Sequence, residues 1–203
     1  MKRIVLATRN EAKSAELQRM LADLPLEVRT LRDYPHVPPL PEEGETYEAN
    51  ARSKALAVAR WLNEVALADD SGLEVDYLEG QPGTRSARFL GNDATDEDRN
   101  REILRRLEGV PPENRTARYR AVVAVAFPDG RVYTFEGTCE GAIALEPRGT
   151  GGFGYDPIFY LPELDRTVAE LNPQEKDLIS HRGQAVRKAR EFLLTLLREQ
   201  RHP

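Results

Sequence analysis

The sequence predicts a mixed α/β fold, and three observations carry that prediction. Ile4–Ala7 and Val65–Ala68 are short apolar runs of the kind that form buried strands. Each has a neighbouring stretch with helical spacing. Further on, Tyr119–Phe127 and Arg131–Cys139 read as two strands joined by Pro128-Asp129-Gly130, a strong hairpin signal. The first half is expected to supply one lobe, and the hairpin with the last helix the other. A cleft between the two lobes is the default ligand site.

Taken in order, Ile4–Ala7 leads through a turn at Thr8-Arg9-Asn10 into a helix over 11–21, with Ala12, Ala15, Met20 and Leu21 on one side. Val28–Leu31 reads as a second strand. Residues 33–44 hold four prolines (35, 38, 39 and 41) and are expected to be loop. Residues 46–62 repeat Ala51, Ala55, Val58 and Leu62 at helical spacing. Val65–Ala68 runs straight into Asp69-Asp70-Ser71-Gly72, where Ser71-Gly72 is expected to add a tight turn, or an Asx-type turn to close the strand. Leu73–Tyr77 then alternates as a strand with one wet face. After a loop over 80–93, Thr95 caps a helix with acids in its first turn, ending near Gly109. A glycine-rich loop over 148–155 precedes a short strand at 157–161. Ser180 is expected to cap a last helix over about 182–198.

Composition narrows the function classes. With 203 residues, the chain suits a single domain, residues 1–203, with two lobes. Its 40% hydrophobic and 31% charged residues can bury a core. A net charge of −5 argues against a uniformly basic nucleic-acid binder. One cysteine, Cys139, allows neither an internal disulfide nor a thiolate zinc cluster. There is no apolar run long enough to span a membrane and no signal-peptide pattern, so the expected location is the cytoplasm.

Several segments carry residues suited to chemistry. Thr8 to Lys13 sits where a strand hands over to a helix, and a helix N-terminus binds phosphate through its N–H groups and dipole. The alternative is that Asn10 is only a cap and Lys13 only solvated. Asp69 and Asp70 follow a buried strand. Adjacent strand residues point to opposite faces, so only one of them can look into a given cleft. A divalent cation such as Mg²⁺ would relieve such a pair, because it favours carboxylate and phosphate oxygens. Glu42, Glu43 or Glu45 could complete that site with Asp70, or could form a solvated charge cluster. Lys54 is either a solvated helix residue or a phosphate contact. In the loop over 148–157, Phe153 can stack on a base and Asp156 can accept hydrogen bonds from its edge, unless the loop is purely structural. Glu175-Lys176-Asp177 and Ser180-His181-Arg182-Gly183 flank the start of the last helix.

Five segments stand in the order of a known family: Thr8-Arg9-Asn10-x-x-Lys13, Ala68-Asp69-Asp70-Ser71-Gly72-Leu73, Ser86-Ala87-Arg88-Phe89, Gly151-Gly152-Phe153-Gly154-Tyr155-Asp156-Pro157 and Ser180-His181-Arg182-Gly183. Over nearly its whole length the chain resembles the inosine triphosphate pyrophosphatase family. Arg9 departs from the glycine that many members carry there. The resemblance implies an elongated two-lobed α/β fold, a homodimer, and hydrolysis of non-standard purine nucleoside triphosphates (ITP, dITP, XTP) to monophosphate and pyrophosphate with Mg²⁺. It implies that Thr8, Arg9, Asn10, Glu11, Ala12 and Lys13 hold the triphosphate. Asp70 would be the general base and a metal ligand, with Glu42 the second ligand. Lys54, Ser71, Phe153, Gly154, Tyr155, Asp156, Lys176, His181 and Arg182 would be substrate contacts, with Arg182 and the N–H groups opening the last helix as donors to a 6-oxo purine. Only five basic residues are lysines, and three of them (Lys13, Lys54, Lys176) fall in this set. Two alternatives stand beside this reading. One is a related pyrophosphatase for modified pyrimidine nucleotides, against which the glycine-aromatic loop and Ser180-His181-Arg182 argue. The other is a non-catalytic purine-nucleotide sensor, which would not need an acid at Asp70.

Overall fold

A computed structural model describes residues 1–199. Seven strands form one sheet: β1 (Arg3–Leu6), β2 (Glu27–Thr30), β3 (Val65–Val75), β4 (Thr116–Ala126), β5 (Val132–Ile143), β6 (Phe159–Leu161) and β7 (Arg166–Thr167). Their order across the sheet is β2-β1-β3-β4-β5-β6-β7. β1 pairs in parallel with both β2 and β3, whereas β6 is antiparallel to β5 and to β7. Five α-helices accompany the strands: α1 (Glu11–Leu21), α2 (Tyr47–Leu62), α3 (Asp96–Arg106), α4 (Pro173–Ile179) and α5 (His181–Glu199). The mixed α/β class expected from the strand–helix alternation is therefore what the chain adopts.

The chain divides into two compact units, and the division differs from the expected one. Among the described residues, the first comprises Met1–Asp70, Ala121–Gly137 and residues 182–199; the second comprises Ser71–Arg120 and Thr138–His181. The last helix thus belongs with the first half rather than with the whole hairpin. Its apolar stripe decides this: Ala185, Val186, Ala189 and Leu193 pack with Ile4, Leu6, Leu17, Leu21 and Leu67.

Within the first unit, strand alternation builds two cores. Val65 and Leu67 of β3 and Ala121, Val123 and Val125 of β4 face α1 and α5. Ala66 and Ala68, with Val122, Ala124 and Ala126, join Ala51, Ala55, Val58 and Ala59 of α2. Small residues from both sheet and helix meet there, which lets α2 lie close. The second unit has one core, in which Leu73, Val75, Ile103, Leu107, Tyr119, Ile158 and Phe159 gather. Arg115 is 3% exposed in this unit and donates to the carbonyls of Ile143, Leu107 and Ala144. It closes backbone acceptors at strand and helix ends that no regular pairing reaches.

Other local readings are corrected. No turn interrupts β3: it runs unbroken through Asp69-Asp70-Ser71-Gly72. Its parallel neighbour stops earlier, with Leu6 opposite Leu67 and the Ala7 N–H on the Leu67 carbonyl at 2.7 Å. The carboxyl edge of the parallel strands therefore falls just before the aspartates, although β3 itself continues. Glu175-Lys176-Asp177 flanks the start of the last helix, as expected, and lies in a short helix of its own, α4, which Asn172 caps by accepting from the Glu175 N–H at 2.8 Å. The hairpin strands are longer than expected, and its turn closes with the Phe127 N–H on the Arg131 carbonyl at 2.9 Å. Among the described residues no helix is long and apolar enough to cross a membrane.

Cys139 is a buried free thiol on β5. Burial, with the nearby charges of Glu140 and Asp156, pushes its pKa up to about 11. At pH 8 only about one thiol in a thousand is then thiolate, the form that reacts. Iodoacetamide at pH 8 is accordingly expected to leave the native protein unlabelled and to label Cys139 once urea unfolds it. Rapid labelling of the native protein, seen by intact mass, would contradict this burial.

Candidate active site

Asp69 and Asp70 sit on adjacent positions of one strand and so face opposite sides of the sheet. Asp69 follows the side of Leu67, toward α1 and α5. Its carboxylate is fully buried and meets Lys13 Nζ at 2.7 Å, Arg182 Nε at 3.2 Å and Arg182 NH2 at 3.4 Å. Arg182 NH1 donates to Glu16 at 2.7 Å. Burial alone would raise the Asp69 pKa. The charges of Arg182 and Lys13 and the Lys13 hydrogen bond outweigh burial and hold it far below the ordinary 3.8. Asp69 is therefore ionised, and it stabilises the fold above about pH 3.8. That contribution is lost as acid lowers the pH toward its depressed folded value. For Arg182, burial acts to lower the pKa, but the charges of Asp69 and Glu16 raise it overall.

Asp70 points to the α2 side. Asn50 Nδ2 donates to its Oδ2 at 3.1 Å, and Lys54 Nζ donates to its Oδ1 at 3.1 Å. Lys54 also reaches Glu42 Oε1 at 3.3 Å. Burial raises the Asp70 pKa above 3.8; Lys54 and Lys13 pull it back only in part, and Asp69 adds to the rise. The two neighbouring aspartates are thus tuned in opposite directions.

The Thr8–Lys13 turn is built by local hydrogen bonds. Thr8 Oγ1 accepts from the Asn10 N–H at 3.1 Å, and Asn10 Oδ1 caps α1 by accepting from the Lys13 N–H at 3.0 Å. Arg9, the departure from the family pattern, donates to the Val37 carbonyl and ties down the proline-rich loop. Glu11 pairs with Arg32 on the surface, and Ala12 lies in the first turn of α1.

In the second unit the glycine-rich loop closes around Asp156, which is 3% exposed. Its Oδ1 accepts from Tyr119 OH at 2.9 Å, and its Oδ2 accepts from Lys176 Nζ at 2.6 Å and from the Phe153 N–H at 3.0 Å. Gly152 has φ +68°, and a Cβ there would fall 2.1 Å from Asp156 Oδ2, so only glycine fits. Lys176 Nζ sits 4.6 Å from the Phe153 ring centroid, a cation–π contact. Tyr155 is buried and donates to the Ser86 carbonyl at 2.7 Å. Ser86 Oγ in turn accepts from the Leu73 N–H at 2.9 Å. His181 is 4% exposed and stacks on Tyr119 at 4.5 Å.

These placements refine the residue roles read from the sequence. The first unit brings Glu42, Lys54 and Asp70 together, and Lys13 with Arg182 around Asp69. The second brings Phe153, Gly154, Tyr155, Asp156, Lys176 and His181 into one connected group; Ser71 is half-buried on β3. Arg182 was expected to donate to a base and Asp156 to accept from its edge. In the structure the Arg182 guanidinium holds Asp69 and Glu16, and the Asp156 carboxylate organises its own loop. Sequence reading missed Glu16 and Asn50, which meet Arg182 and Asp70. Asn50 and Lys54 are four apart on α2, which was the signal for the first pairing.

A hard divalent cation fits the Glu42–Asp70 pair. Two oxygen donors converge on one positive head, that of Lys54, and Mg²⁺ is commonly held by one or two carboxylates completed by waters and phosphate. No cluster of three or more metal-ligating side chains occurs among the described residues.

The two neighbouring acids of β3 thus differ in setting: Asp69 is fully buried between cationic helix residues, and Asp70 is partly buried with a raised pKa. The chain belongs to the Ham1 family, whose model matches residues 4–192. It is 50% identical over 191 residues to a dITP/XTP pyrophosphatase of Desulforamulus reducens, covering 94% of this chain and 95% of that one. It is 49% identical to the protein of the same name from Geobacillus kaustophilus, over 94% of each chain. Among solved structures, a HAM1 protein from Coxiella burnetii superposes with a TM-score of 0.84 at 44% identity, covering 98% of this chain and all of the other. A nucleoside-triphosphatase from Mycobacterium abscessus, also called a dITP/XTP pyrophosphatase, superposes with a TM-score of 0.74 at 41% identity, over 92% of this chain and 98% of that one.

The buried ion cluster yields a stability prediction. Arg182→Leu leaves Asp69 and Glu16 buried without the guanidinium that both meet. Removing one member of such a cluster costs about 3–5 kcal/mol. Urea unfolding is expected to show that loss at pH 7, and a loss near zero would contradict the pairing.

Proposed function

We propose that this chain hydrolyses non-standard purine nucleoside triphosphates, ITP, dITP and XTP, to the monophosphate and pyrophosphate. The observation that carries this reading is the near-full-length identity to dITP/XTP pyrophosphatases. The geometry supports it. Lys13 and the Thr8–Ala12 backbone at the start of α1 are suited to the triphosphate. Lys54 and Asp70 are suited to the scissile region, where Asp70 would orient a water and take its proton during attack on the α-phosphorus. A carboxylate of raised pKa is the better base for that task. A divalent cation held by Glu42 and Asp70, Mg²⁺ on this reading, supplies charge neutralisation for the leaving pyrophosphate. Phe153 offers a face for the base, and Lys176, positioned by Asp156, is a donor-only group suited to a 6-oxo acceptor. Arg182 acts on this reading through Asp69 rather than by touching the base. The resemblance adds a homodimer, working in the cytoplasm where its nucleotide substrates lie.

Pyrophosphate release with Mg²⁺ tests the reading across ITP, dITP, XTP, GTP, ATP and dUTP. ITP, dITP and XTP are expected to be hydrolysed well, GTP poorly and ATP hardly at all. Adenine presents a donor at C6 where inosine and xanthine present an acceptor, and a buried mismatch of that kind gives discrimination on the order of 10⁴. GTP shares the 6-oxo group and must be excluded at its 2-amino edge. kcat/KM for ATP within about tenfold of that for ITP, or preference for dUTP, would overturn the assignment.

Asp70→Asn separates function from stability. Turnover is expected to fall by about 10²–10⁴-fold, as loss of a general base does. Thermal unfolding of the metal-free protein at pH 7.5 should show no loss of Tm. A raised folded pKa means that the ionised carboxylate is disfavoured by folding above pH 3.8, and the amide removes that burden. Near-normal turnover would remove Asp70 from the mechanism.

A further inference from the structure

Helix α3 makes a contact with the glycine-rich loop that none of the functional motifs includes. Gly154 stands at φ +61° between Phe153 and Tyr155. Its N–H donates to Asp96 Oδ2 at 2.9 Å, and its carbonyl accepts from Asn100 Nδ2 at 3.0 Å. Asp96 and Asn100 are four residues apart and so lie on one face of α3, one turn above the other. The peptide units on both sides of Gly154 are therefore gripped by a single helix. The neighbouring Phe153 N–H is taken by Asp156 at 3.0 Å. Arg99 anchors the helix itself, donating to the Phe89 and Gly91 carbonyls at 2.8 and 3.0 Å.

Asn100 is not explained by packing. It is 6% exposed, and its Oδ1 is buried with no hydrogen-bond partner among the described residues. A buried acceptor left unmade is a cost. A leucine at this helix position would avoid it and would be the better helix former. What asparagine alone supplies is the donor to the Gly154 carbonyl.

We propose that Asp96 and Asn100 are positioning residues for purine recognition: they fix the Gly154 peptide and so set where the Phe153 ring and Lys176 meet the base. This deepens the pyrophosphatase reading and rests on it. Neither residue touches the phosphates or the reacting atoms on this account. Their loss should fall on base discrimination and KM rather than on the chemical step.

The test uses the full-length protein and two variants, Asn100→Leu and Asp96→Ala, which remove the donor and the acceptor, with Mg²⁺ and either ITP or ATP. For both variants the ratio of kcat/KM for ITP over ATP is expected to fall by about tenfold or more, since small misplacements in a site have effects of that size. KM for ITP should rise while kcat changes by less than about threefold. The Tm of Asn100→Leu should stay within about 3 °C of the parent, because the lost hydrogen bond is offset by removal of the orphaned acceptor. Hydrogen exchange should quicken in the peptide spanning 150–158. A merely structural role would lower ITP and ATP turnover together and leave their ratio unchanged, and that outcome overturns the proposal. If the parent protein itself fails to prefer ITP, the pyrophosphatase reading fails and the proposal falls with it. A parent that prefers ITP, with variants that keep the preference, refutes the positioning role alone.

Discussion

Two carboxylates on adjacent residues of an unbroken strand cannot face the same way, and the first unit is arranged around that constraint. Asp69 is turned toward α1 and α5, where Lys13 and Arg182 neutralise it out of contact with water, and Arg182 also pairs with Glu16. Such a cluster tolerates no missing member, because each charge left behind is a buried charge without its counterpart. It binds the β1–α1 turn, the middle of β3 and the first turn of α5 into one piece. Asp70, turned the other way, escapes full neutralisation. It keeps a raised pKa and a half-buried setting, which suits a reactive acid better than a structural one.

The motif lysines follow one pattern. Lys13 meets Asp69 at 2.7 Å, Lys54 meets Asp70 at 3.1 Å, and Lys176 meets Asp156 at 2.6 Å. Each is a compact charge on a flexible stem, in a chain that otherwise favours arginine. The carboxylate partner holds the ammonium in place and limits the cost of burying it. A side chain held in this way has less conformational freedom left to lose in any further contact. Arginine is used where the task is to bridge several acceptors at once, as Arg115 does among carbonyls and Arg182 between two acids.

The second unit achieves rigidity differently. Its loop over 149–156 has little regular secondary structure, yet Asp156 accepts from three donors, and Gly152 and Gly154 take left-handed backbone that other residues resist. A loop so constrained can present an aromatic ring at a defined angle without a helix or strand to carry it.

How much of this was legible in the sequence depends on whether the cause is local. Apolar periodicity and caps are local: Asn10 and Thr95 mark the starts of α1 and α3, and Pro128-Asp129-Gly130 marks the hairpin turn. The ordered motifs likewise pointed to the family, since residue identities at fixed spacing survive without coordinates. What the sequence could not determine were relations between distant residues. Asp69-Asp70-Ser71-Gly72 has the composition of a turn, but pairing with neighbouring strands and cations from two helices keep it extended. The partners of the Arg182 guanidinium, Asp69 and Glu16, lie more than a hundred residues away. Asn100 looks like an ordinary helix residue until Gly154 is brought against it. The sequence by itself determined the element types, the family and the reactive residue types. Tertiary structure alone decided which partner each charge received, because a carboxylate's role is set by the charges and solvent around it, and folding brings those from elsewhere in the chain.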